Sequence, residues 1–142
     1  MGFGEVLFVD LEADPGFDFR GFSVIHVCGG NTFKLLHFAR QANFKKTIAE
    51  LIARGGVYVG VSAGTGIVMP SVHIVHEYQL DPNLVGLKDF SELNLVPVNI
   101  FVHYAPEWES VVGDYEKKHG VNFVRITNDQ AVVLKRGKMK IV

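Results

Sequence analysis

Five consecutive residues, Val57-Tyr58-Val59-Gly60-Val61, offer no charge to water, the pattern of a central strand covered on both faces. Apolar-rich runs on either side predict further strands at residues 5–11, 23–27, 72–76, 98–102, 122–126, 131–134 and 138–142. Three other stretches repeat with a helical period. Residues 32–41 set Phe33, Leu36 and Ala39 on one stripe, with Asn31 or Thr32 as N-cap. Residues 44–54 align Phe44, Ile48, Leu51 and Ile52 between a capping Asn43 and a stop at Gly55-Gly56. Residues 107–119 align Trp108, Val111, Val112 and Tyr115, with Pro106 at the start and Gly120 just past the end. Strands alternating with helices predict an α/β sandwich with a mainly parallel sheet. Arg136-Gly137 between the last two apolar runs predicts a C-terminal hairpin.

Length and charge narrow this picture. The 142 residues suffice for one domain, residues 1–142, with a real core. A net charge of −1 gives no electrostatic footing for nucleic acid or an anionic membrane, and no apolar run is long enough to span a bilayer. The single cysteine, Cys28, rules out an intramolecular disulfide and reads as a buried small residue. With no secretory pattern at the N-terminus, the expected compartment is the cytoplasm.

The chemistry concentrates where the most apolar strand ends. Gly60-Val61-Ser62-Ala63-Gly64 follows that strand and precedes a helix expected to begin near Ala63. A tight strand–turn–helix of this kind exposes a serine hydroxyl at the C-terminal edge of the sheet. The Ala63 amide, at the helix start, would face a developing oxyanion. A nucleophilic serine needs a base, and usually a group that orients the base. Of six histidines, His103 lies at the end of residues 98–102, where a strand would deliver it to the same edge as Ser62. Glu77 and Asp81 are both reasonable orienting carboxylates. His73, His76 and Glu77 together suggest a metal, but positions three apart on a strand face opposite sides, so no metal or cofactor is expected. Cys28-Gly29-Gly30-Asn31-Thr32 also joins a strand to a helix. Its glycines could bring backbone amides close to a ligand.

Taken in order and spacing, Gly29-Gly30-Asn31-Thr32-Phe33, the elbow around Ser62, and Asn94-Leu95-Val96-Pro97 through His103-Tyr104 resemble the peptidase E family of aspartyl dipeptidases and cyanophycinase relatives. The resemblance implies a flavodoxin-like three-layer sandwich, related to class I glutamine amidotransferases. It makes Ser62 the nucleophile, His103 the general base and Glu77, fifteen residues after the serine, the third member. Gly30 and Ala63 become the oxyanion hole, with Gly29, Asn31 and Thr32 around the substrate, a small peptide.

Two departures from that pattern shape the expectations. The chain has no counterpart to the family's usual N-terminal strand–helix–strand–helix segment. Its sheet should therefore be short of cover: either the chain is a fragment or a second copy supplies the cover, and a homo-oligomer is expected. The stretch 104–114, where the aspartyl dipeptidases carry an aspartate-binding arginine, holds Glu107, Glu109 and Asp114 and no cation. Aspartyl preference is not expected. The competing readings are an esterase and a catalytically silent paralogue serving as a binding or assembly subunit.

Overall fold

The computed structural model describes Gly2 and residues 4–142. Its elements run β1 (Val24–Val27), α1 (Thr32–Gln41), α2 (Phe44–Ala53), β2 (Val57–Gly60), α3 (Ala63–Gly66) and α4 (His73–Glu77). There follow β3 (Asn99–Phe101), a 3-10 turn (Pro106–Trp108), α5 (Glu109–His119), β4 (Phe123–Arg125), β5 (Val132–Lys135) and β6 (Lys138–Ile141). The α/β alternation, all three long helices and the terminal hairpin match the periodicities of the sequence. β1 pairs with β2 and β3 with β4, both in parallel, while β5 and β6 pair antiparallel from Val132↔Ile141 to Lys135↔Lys138. Among the described residues these are three separate two-stranded ladders rather than one continuous sheet.

The helices form where the pattern places them because each apolar stripe finds a floor. Phe33, Leu36 and Ala39 of α1, and Phe44, Ile48 and Leu51 of α2, pack with Ile25 and Val27 of β1 in the largest core cluster. Asn31 caps α1 by accepting from the Lys34 amide at 2.9 Å. α5 buries Val112 and Tyr115 against Phe101, Phe123 and Ile74. It ends at Gly120, whose φ of 65° places it in the left-handed region. Ile100, on the other side of β3, packs with Met69 and Ile126.

Four expectations are corrected. Residues 5–11 form no strand; they run as an irregular segment with Val6 and Phe8 exposed, over a cavity of about 600 Å³ beside β1 and α1. Residues 72–76 are helix α4 rather than a strand. The Ser71 hydroxyl accepts from the His73 amide at 3.0 Å, and Tyr78 N–H bonds back to Ile74. Over five residues an apolar alternation fits either period, and the hydroxyl at the entrance favours the turn. The strand at 57–61 is not covered on both faces: Tyr58 meets the core, but Val57 and Val59 are 52% and 39% exposed. Cys28 is exposed, not buried.

Candidate active site

Ser62 sits at the junction of β2 and α3 with φ 53° and ψ −115°, a region that costs a non-glycine residue about 1–3 kcal/mol. The surrounding chain holds it there. Val61 N–H bonds to Val27 C=O at 3.0 Å, continuing the β1–β2 ladder up to the turn. The Thr65 and Gly66 amides both donate to Ser62 C=O, the Thr65 hydroxyl donates to Gly60 C=O at 2.8 Å, and the Tyr58 hydroxyl donates to Gly64 C=O. The two elbow glycines are required by close approach. A Cβ on Gly60 would stand 2.5 Å from the Gly64 carbonyl oxygen, and one on Gly64 would collide with the Val27 carbonyl.

His103 reaches Ser62 from the other parallel pair. It follows β3, also at positive φ (56°), and the ladder beside it is extended by Ile126 N–H to Phe101 C=O and Tyr104 N–H to Ile126 C=O. Its Nε2 lies 3.0 Å from Ser62 Oγ, and its Nδ1 lies 2.6 Å from Oδ1 of Asn128. An amide oxygen can only accept, so Nδ1 carries the proton and Nε2 is left free to accept from the serine hydroxyl. Ser62, His103 and Asn128 thus meet at the C-terminal ends of β2, β3 and β4, the edge where open α/β sheets gather their ligand-binding groups.

Glu77 and Asp81 are placed elsewhere. Glu77, on α4, accepts from Lys118 Nζ and His119 Nε2, both at 2.8 Å, and the Lys118 bond holds its carboxyl below the usual carboxylate range. Asp81 accepts from the Thr32 amide and hydroxyl at 2.9 and 2.6 Å. The His103 partner is therefore an amide, which a search confined to carboxylates passes over. The available signal was positional: Thr127-Asn128-Asp129-Gln130 is a polar turn directly after the strand that pairs with His103's own.

The glycine loop lies against the serine, since a Cβ on Gly29 would stand 3.5 Å from Ser62 Oγ. Gly30 adopts φ 145°. Among the described residues neither the Gly30 nor the Ala63 amide is taken up by another hydrogen bond, so both donors are unengaged. Asn31 and Thr32, expected around the substrate, are engaged in holding the loop. Asn31 caps α1 and donates to Pro82 C=O at 2.7 Å, and Thr32 is buried against Asp81. A serine paired with a tautomer-fixed imidazole has the central parts for acyl transfer.

The comparisons with known proteins agree in direction. Residues 19–142 match the family model described as Peptidase family S51. An uncharacterized peptidase of Listeria monocytogenes is 34% identical over 119 residues, which cover 80% of this chain and 57% of that protein. Peptidase E of Escherichia coli is 32% identical over 91 residues, covering 64% of this chain and 38% of its own length. A crystal structure of a candidate peptidase E protein from Listeria monocytogenes aligns with a TM-score of 0.73 at 26% identity, covering 93% of this chain and 63% of that one. The chain spans about half the length of the curated relatives it matches, or less.

Proposed function

The chain belongs to peptidase family S51, and on that premise we propose that it is a serine peptidase or amidase acting on small peptides through Ser62, His103 and Asn128. The observation that carries the reading is the 3.0 Å approach of His103 Nε2 to Ser62 Oγ across two separate strand pairs. Ser62 Oγ attacks the scissile carbonyl while His103 Nε2 takes its proton. The oxyanion settles between the Gly30 and Ala63 amides. His103 then returns the proton to the leaving amine, and water hydrolyses the acyl-enzyme by the same route. Asn128 holds the imidazole in the productive tautomer, the part asparagine plays in cysteine–histidine–asparagine peptidases.

Specificity follows from what two candidate arginines already do. Arg125 is committed to Glu109 and Glu116, and Arg20 to Asp18. Neither is free to hold a substrate aspartate, so neutral or basic side chains are favoured over acidic ones. A second copy of the chain is the proposed partner, because Val57 and Val59 present an apolar strand face that one copy leaves bare. Among the described residues no helix is long and apolar enough to cross a membrane, and a reducing, cytoplasmic setting suits the lone exposed thiol of Cys28.

The test is fluorophosphonate labelling beside hydrolysis of a dipeptide and aminoacyl-amide library. Ser62→Ala should abolish both, and His103→Ala should slow them about 10³-fold or more. Asn128→Ala should cost less than His103→Ala, and Glu77→Gln should leave labelling unchanged. Crippled labelling in Glu77→Gln beside a normal Asn128→Ala would return the orienting role to Glu77. A wild-type chain that neither labels nor turns over would favour the silent binding or assembly subunit, and turnover of esters without amides would favour an esterase.

A further inference from the structure

The objection that a strand raises against a metal concerns His73 and His76, three apart, whereas the residues that meet in the structure are His73, Glu77 and His119. On a helix His73 and Glu77 stand one turn apart on the same face, and His119, from the last turn of α5, meets them there. Glu77 Oε2 is 2.8 Å from His119 Nε2 and 3.6 Å from His73 Nδ1, and one donor atom from each residue lies within 4.8 Å of the others. His76 is turned out of this group and stacks on Phe90 at 4.1 Å between ring centroids.

We propose that His73, Glu77 and His119 form a binding site for a borderline divalent transition metal, Zn²⁺ first, which clamps α4 to α5. Two imidazole nitrogens and one carboxylate oxygen are a donor set that zinc accepts, with water in the fourth position. Bonds of about 2.0–2.1 Å in a tetrahedron hold ligand atoms roughly 3.3 Å apart. The His119–Glu77 pair must open slightly and His73 and His119 must draw in, adjustments within reach of side-chain rotation on the half-buried His73 and Glu77 and the exposed His119. The neighbouring groups sort into helpers and competitors. Lys118 Nζ holds the other carboxylate oxygen, Oε1, at 2.8 Å, which orients Glu77 but also draws on its charge. The Tyr115 hydroxyl lies 3.3 Å from His73 Nδ1 and must yield that nitrogen to the ion. Without metal Glu77 and His119 make a hydrogen-bonded junction between the two helices; with metal the junction becomes a set of coordinate bonds. Its position is useful: the chain continues from α4 to Asp81, which fixes Thr32 at the start of α1, directly after the Gly29-Gly30 loop.

The site shares no residue with Ser62, His103 and Asn128, so its test is independent of the hydrolase reading. The full chain is freed of metal with a chelator, titrated with Zn²⁺ by calorimetry, then loaded with Co²⁺ and examined for tetrahedral visible absorption. One equivalent should bind in the micromolar range or tighter, and the melting temperature should rise by roughly 5 °C or more at a hundredfold excess over Kd. His73→Ala and His119→Ala should each weaken binding at least tenfold and abolish the rise, while the circular dichroism of both metal-free variants matches that of the metal-free wild-type chain. That match shows the variants remain folded. No uptake of Zn²⁺ or Co²⁺ by the wild-type chain would overturn the proposal. Uptake unchanged in both variants would overturn it equally, by placing the metal on other histidines.

Discussion

The two parallel strand pairs are built alike and covered differently. β3 is enclosed on both sides: Phe101 packs toward Tyr115 and Phe123 under α5, while Ile100 faces Met69 and Ile126. β1 and β2 are enclosed on one. Ile25, Val27 and Tyr58 meet α1 and α2, whereas Val57 and Val59 face outward. The same region also buries an acid. Glu92 is 8% exposed with neither carboxylate oxygen hydrogen-bonded, on the covered side near Tyr58, whose hydroxyl burial pushes above its ordinary range. One pair is a finished core. The other hides a carboxyl group and shows its valines, an arrangement that fits the second copy proposed above. The proposed catalytic groups span both, since Ser62 leaves β2 and His103 leaves β3.

Matched truncations on the two pairs give the largest expected contrast. Phe101→Ala removes a ring held at an edge-on contact to Phe123 and packed on Trp108, and should cost about 3–5 kcal/mol. Val59→Ala, on the bare face, should cost less than about 1 kcal/mol in dilute protein. Denaturant midpoints measure both. Equal costs would mean that the β2 face is covered in a single copy, and the contrast between the pairs would collapse.

Glu92 supplies the next effect and carries a definite sign. Burial pushes its carboxyl from an ordinary 4.5 up to about 9, with Arg40 partly opposing the rise. Between those values the folded chain holds a proton that the unfolded chain has released. Stability must therefore fall as pH rises through the window, and level off above about 9. Glu92→Gln keeps the neutral shape and removes the dependence. It should stabilise the fold by about 3 kcal/mol at pH 7 and by little near pH 5. Chemical denaturation of both proteins across pH 5–9 measures it; parallel curves would show that Glu92 is ionised in the folded chain.

What the sequence made legible divides along physical lines. Helices of ten or eleven residues carry nearly three turns of pattern, so α1 and α2 start where the apolar stripes predict, and α5 where Pro106 and Gly120 bracket it. The elbow was equally readable, because Gly60 and Gly64 are demanded by backbone collisions local to the turn. The strand at 57–61 was read correctly as a strand and wrongly as a buried one: apolar residues report what a face would bury, not whether this chain supplies the cover. Residues 72–77 failed on length, five or six positions being too few to separate a period of 2 from 3.6. That reading also set His73 against His76, while the pairing of Glu77 with His103 came from the family resemblance; in the structure Glu77 bonds to Lys118 and His119 instead. Asn128 was missed for a different reason. Its part depends on a long-range pairing, Phe101 opposite Arg125, that no local pattern encodes.

The smallest effect on stability should carry the clearest answer about the bare face. If a second copy covers Val57 and Val59, replacing Val59 with lysine places a charge in the centre of that contact while leaving the single chain's core untouched. Sedimentation velocity over a range of concentrations should show the wild-type chain as a dimer or larger. Val59→Lys should shift it toward monomer, with a denaturation midpoint in dilute solution changed by less than about 0.5 kcal/mol, as for other surface substitutions. Lysine on an exposed strand is also a known guard against unwanted pairing, so the substitution opposes association in two ways. The two parallel pairs would then differ in isolation but not in the assembly, where both have two covered faces. A wild-type chain that stays monomeric at every concentration, with Val59→Lys indistinguishable from it, would break the comparison at its root: the valines would be ordinary surface, and the demand for a second face would be mistaken.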